Sequence, residues 1–123
     1  MDNRKEQIEA LETLSNFNKR IIKNIPILAD ELSDNRLEDT DKFCKSTIDA
    51  INWEVQVMNG TMELLNEGKQ RIDKAEFNKK ITCLAEAIQL DSDEKLAEAF
   101  RQLQPQFGIL QDAIEEVCGC ERC

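Results

Sequence analysis

The chain has 123 residues, two prolines, four glycines, 33% charged residues and a formal net charge of −9. That length bounds it to one domain, 1–123, which can bury roughly two thirds of its extended surface, and the scarcity of proline and glycine beside strong apolar periodicity excludes a disordered chain. So acidic a field excludes nucleic acid and anionic membrane surfaces as partners, and no apolar run approaches the about 18 residues of a membrane span.

The N-terminus, MDNRKEQIEA, lacks the apolar core of a signal peptide, so the expected location is the cytoplasm. Basic residues gather in the first segment (Arg4, Lys5, Lys19, Arg20, Lys23) and acidic ones from Asp30 onward, which predicts an electrically two-sided molecule. Asn3 and Glu6 form a capping box for a first helix over about 4–32. Its seam is Leu11, Leu14, Asn18, Ile21, Ile25, Leu28 and Leu32, at heptad spacing with one polar interruption. Pro26 lies off that seam, so the expected outcome is a kinked but continuous helix, the alternative being a break at Ile25.

Ser33, Asp34 and Asn35 make a turn, and Asn35 with Glu38 offers the next cap. A second helix is expected over about 37–66, roughly 45 Å long at 1.5 Å per residue. It carries two apolar stripes. One runs Leu37, Asp41, Cys44, Ile48, Ile51, Val55, Met58, Met62, Leu65; the other runs Phe43, Ser46, Ala50, Trp53, Val57, Gly60, Leu64. At 100° per residue they lie about 160° apart, so one covers the chain's own core and the other needs a second cover.

Glu67 and Gly68 stop that helix, and Lys69–Ile72 is the longest connection. Asp73 and Glu76 open a third helix with the seam Phe77, Ile81, Leu84, Ile88. After a turn at 90–92, Asp93 and Glu94 favour the start of a fourth, whose seam Leu96, Phe100, Leu103, Phe107, Leu110, Ile114, Val117 has no polar interruption. Pro105 falls on its outer face, so this helix too is expected to bend rather than stop. A weak echo between Leu28–Leu32 and Leu84–Ile88, each followed by a polar turn, suits two helical hairpins of similar design. The expected fold is therefore all-α: an antiparallel up-down four-helix bundle with long, proline-kinked first and fourth helices. A three-helix core with a loose first helix, or a homodimer that completes the core, is the alternative.

Chemistry is sparse. With no histidine, no tyrosine and no glycine-rich phosphate loop, the usual general-base and nucleophile arrangements cannot be written, and the chain is read as non-enzymatic. Asn18 and Asp41 interrupt seams and are read as register-setting residues. The cysteine-rich tail, 118–123, places Cys118, Cys120 and Cys123 within six residues, close enough to bind zinc, although a closed site wants four ligands. Its plain alternative is a helix end capped at Gly119 whose thiols do nothing. Five cysteines, an odd number without a secretion signal, argue for reduced thiols over a disulfide framework.

Trp53, the only tryptophan, sits on the second stripe beside small Ser46, Ala50 and Gly60. Three covers compete there: another helix of the same chain, a second copy, or another protein. The preferred expectation is a protein-binding module that lays an amphipathic partner segment over Phe43, Trp53, Val57 and Leu64, with Asp49 and Glu54 favouring basic partner rims. A thiol or metal protein built on the tail and a purely structural homodimer are the other readings. In size, charge and helix content alone, the chain resembles the export chaperones that hold aggregation-prone helices of flagellar or secreted subunits, which implies a chaperone- or adaptor-like role.

Overall fold

A seam that repeats every three and four residues forces a long amphipathic helix, and the first such seam produces α1 (Asn3–Ser33), continuous through Pro26. The computed structural model describes the backbone of residues 3–122 and the side chains of 4–119; the side chain of Asn3, and with it the expected first cap, lies outside them. Regular structure among these residues is wholly helical, continuing with α2 (Thr40–Gly60), a single turn α3 (Met62–Leu65), α4 (Lys74–Leu90) and α5 (Asp93–Arg122).

α1 and α5 form the centre. Every seam residue expected on α1 is buried, and so is every one expected on α5 except Leu96, which is half-buried. The two run antiparallel, Asn18 meeting Phe107 and Gln111 while Ile22 meets Gln104. Pro26 removes the N–H that would bond the Ile22 carbonyl four residues back, and the Gln104 side-chain amide donates to that carbonyl instead, at 3.3 Å. The proline is thus accommodated by the facing helix. Asn18 donates to the Phe107 carbonyl at 3.0 Å and to the Gln111 side chain at 3.1 Å, and Gln111 in turn donates to Ser15 and Glu115. The polar interruption therefore pins the register of α1 on α5.

The other two long helices flank this pair. α2 packs on α1 and α4 on α5, whereas α2 and α4 do not pack along their lengths. Phe77 of α4 meets Phe107 edge-on at 5.5 Å between ring centroids. Asp73 caps α4 by accepting from the Glu76 N–H at 3.1 Å, as its sequence signature predicts. The chain turns into α5 through Asp91, whose positive φ of 52° a short polar side chain tolerates.

Two expectations for the second helix fail at its ends. It begins at Thr40, not near Leu37, because the Thr40 hydroxyl accepts the Leu37 N–H and donates to Glu31, both at 2.8 Å, closing a turn ahead of the helix. It ends at Gly60, where Thr61 returns its hydroxyl to the Val57 and Met58 carbonyls. α3 follows, and the connection to α4 is tied down by Asn66, whose carbonyl oxygen accepts the N–H groups of Arg71 and Ile72 at 2.8 Å. Arg71 donates to the Leu65 and Glu67 carbonyls, so the loop is built rather than slack.

Candidate functional site: the two flanks of helix α2

The inward line of α2 takes Cys44, Ile51, Met58 and Leu65 from the first stripe read from the sequence and joins to them residues of neither stripe. Buried residues on it are Thr40, Cys44, Thr47, Ile51, Glu54 and Met58, continued by Thr61 and Leu65. One heptad position is thus Cys, Ile, Met and Leu, and the other is Thr, Thr, Glu and Thr. That second set is polar, so a hydrophobicity pattern places it outside, yet it lies between the two apolar stripes and points inward. The stripes are the flanks: Phe43, Ala50 and Val57 are half-buried on one side, and Ile48, Val55 and Met62 on the other.

Glu54 needed to be exposed to serve as a rim acid, and it is not. Its exposure is 0%, and neither carboxylate oxygen has a hydrogen-bond partner among the described residues. Burial pushes its pKa up to about 8, so the group is held mainly neutral near pH 7. Leu64 is likewise buried and belongs to the core rather than to an open floor. Asp49 is exposed, as the expected rim requires.

On the α1 flank, Trp53 meets Phe17 of α1 at 5.2 Å between centroids and 60° between planes, and the Arg20 guanidinium stands 5.5 Å from the Phe17 ring centre. Both rings remain open to water, Trp53 at 39% and Phe17 at 41%. Beside them a shallow groove of about 140 Å³ runs between the helices, walled by Phe17, Arg20 and Asn24 on one side and Phe43, Ser46 and Ala50 on the other. Helical spacing places exposed Ile27 on the same face as Arg20 and Asn24. Phe17 escaped the sequence reading because it lies off the α1 seam; its only signal was an aromatic residue at a position expected to be polar. Gly60 has open space where a Cβ would stand, so nothing within the described residues requires glycine there.

The cysteines do not assemble. Cys44 is buried on α2, its thiol pushed up by burial and then by Asp41 and Asp93; Cys83 is half-buried on α4; Cys118 is buried near the end of α5. The side chain of Cys120 and all of Cys123 lie outside the described residues. Among the described residues no group of three or more metal-ligating side chains is arranged to hold an ion. Cys118 does border a cavity of about 480 Å³ between α1 and α5, whose walls include Glu12, Ser15, Lys19 and Glu115, on the polar side of the Asn18–Gln111 network. No helix among the described residues is long and apolar enough to cross a membrane.

A family model described as a domain of unknown function, DUF8042, matches residues 9–113. The chain belongs to the DUF8042 family. The DUF8042 match takes in Phe17, the whole of α2 and the α4–α5 hairpin up to Ala113, and it stops before Cys118, Cys120 and Cys123. No curated protein and no solved structure matches the chain.

Proposed function

We propose that the chain is a non-enzymatic, chaperone- or adaptor-like binding module of the cytoplasm, and that its four long helices form an antiparallel up-down bundle. Its α1–α2 groove receives an amphipathic helix from another protein. The observation that carries this reading is the Phe17–Trp53 pair, two aromatic rings that meet edge to face, each left about two fifths open beside an apolar groove. Aromatic side chains half-buried in their own chain lose little conformational freedom on binding and bring large apolar area, the combination found at interface hot spots.

The charge of the partner at this groove follows from its walls. Arg20 is the charged side chain that lines it. With Glu54 inside the core, the partner favoured here places acidic residues beside Arg20, reversing the preference for basic rims expected from the sequence.

Trp53 is the only tryptophan, so its emission reports directly on the groove. A synthetic amphipathic helix with a leucine stripe and glutamate flanks should shift that emission to the blue and saturate. Trp53→Ala should weaken binding of the same peptide, followed by calorimetry, by about 2 kcal/mol while the helical circular dichroism is kept. Collapse of the helical signal in Trp53→Ala, or equal affinity in Phe17→Ala and the parent chain, would assign the pair to the core instead.

A further inference from the structure

The opposite flank of α2 faces a second, chemically different surface. α2 and α4 diverge instead of packing, and between them near the α4–α5 turn lies a cleft of about 230 Å³. Its apolar walls are Cys44 and Ile48 from α2, Ala87 and Ile88 from α4 and Leu96 from α5. Ile88 closes the predicted α4 seam and should be core, yet it is 39% exposed, on the side where α2 does not pack along α4. Leu90, two residues on, is 61% exposed.

Acids line the same cleft. Asp41, Asp91 and Asp93 face it, against one lysine, Lys45. Arg36 reaches the cluster but is engaged there, bonding Asp93 at 2.9 Å and Asp41 at 2.7 Å, which ties the α1–α2 turn to the first turn of α5. Glu38, Asp39 and Glu94 are exposed in the segments beside it, as are Lys42 and Lys95, and acids still outnumber bases there. The apolar strip is therefore bordered by net negative charge, unlike the Trp53 groove, whose charged wall is Arg20.

We infer that the α2–α4 cleft is a docking surface for a basic amphipathic helix of another protein, its aliphatic side chains entering between Ile48 and Ile88 and its lysines or arginines meeting Asp91 and the exposed acids beside it. A second copy of this chain is the wrong occupant. Each molecule carries a net charge of −9, and pairing this face with itself would set the aspartates of one copy against those of the other. A basic helix instead gains both the apolar contact and the complementary field, and its association should weaken with salt. This inference does not rest on the Trp53 groove and stands or falls separately.

Two synthetic peptides test it on the full chain: the same helical leucine and isoleucine stripe flanked by lysines in one and by glutamates in the other, titrated while the methyl resonances of Ile48, Ile88 and Leu96 and the emission of Trp53 are followed. The lysine peptide should bind at least tenfold tighter at this cleft, move those methyls and leave Trp53 emission unchanged. Ile88→Glu should reduce its affinity tenfold or more. Asp91→Asn, which keeps a residue tolerant of positive φ and so preserves the turn, should reduce affinity several-fold and flatten the salt dependence. Equal affinity of the two peptides as read by the Ile48, Ile88 and Leu96 methyls, shifts confined to Phe17 and Trp53 with the lysine peptide, or no shift of those methyls at concentrations on the order of 100 μM would overturn the proposal. So would a concentration-dependent dimer that Ile88→Glu dissolves, since the occupant would then be a second copy.

Discussion

The two flanks of α2 carry similar apolar side chains and meet different fates. On one, α1 lies alongside and Trp53 finds Phe17; on the other, α4 stays away and Ile88 is left partly to water. The amount of apolar surface on a helix face does not decide how far that face is covered. The neighbours of α2 are set by the α1–α5 pair, on which both flanking helices lean, and by the short turns that join them.

Between the flanks stands Glu54, and the largest expected effect comes from there. In the unfolded chain its carboxyl titrates near 4.5; in the fold it holds its proton up to about 8. Below pH 4.5 both states are protonated and the group has no effect on the balance. As pH rises from there toward 8 the unfolded state loses a proton that the folded state keeps, so stability falls across that window and levels off above it. The full loss is on the order of 5 kcal/mol. Urea unfolding of the parent chain between pH 5 and 9 should show this decline, and Glu54→Gln should remove it. Glu54→Met should also raise stability at pH 9 by a few kcal/mol, since an apolar side chain of similar length fills the site without a charge to desolvate.

Comparison of the flanks themselves predicts a smaller asymmetry. Trp53→Ala removes the ring contact and area shared with α1 and should cost about 1–2 kcal/mol in the isolated protein. Ile88→Ala, on the open side, should cost about 0.5 kcal/mol, the scale of a surface change. Equal losses by denaturant titration would mean that α2 covers Ile88 as well as α1 covers Trp53. Smallest is Gly60→Ala. With no neighbouring atom within 4 Å of the new Cβ, helix propensity should prevail, and because Gly60 ends α2 it should add only about 0.3 kcal/mol, a fraction of the interior value. If the same variant weakens binding of the peptide that reports through Trp53, the glycine serves a partner's close approach rather than this chain's own packing.

Much of the fold was legible because α1 and α5 each keep one seam from end to end, and a helix with one apolar face has one way to be buried. The α4 cap was readable for a similar reason: an aspartate three residues ahead of a glutamate satisfies an N–H locally, whatever surrounds it. The candidate site was half legible. Trp53 and Phe43 were found, but Phe17, their partner across the groove, belongs to a helix whose seam points elsewhere.

α2 shows where pattern alone stops. Hydrophobic periodicity finds the faces that avoid water, and α2 has two of them; which direction is inward depends on the helices around it. Local chemistry, written in seams, caps and turns, was enough to specify an all-helical chain and to locate α1, α4 and α5. Tertiary packing alone turned Thr40, Thr47, Glu54 and Thr61 toward the core, set α1 against one apolar flank and kept α4 from packing along the other. Those outcomes rest on how far apart four helices stand, and a spacing between helices is not encoded in any single stretch of sequence.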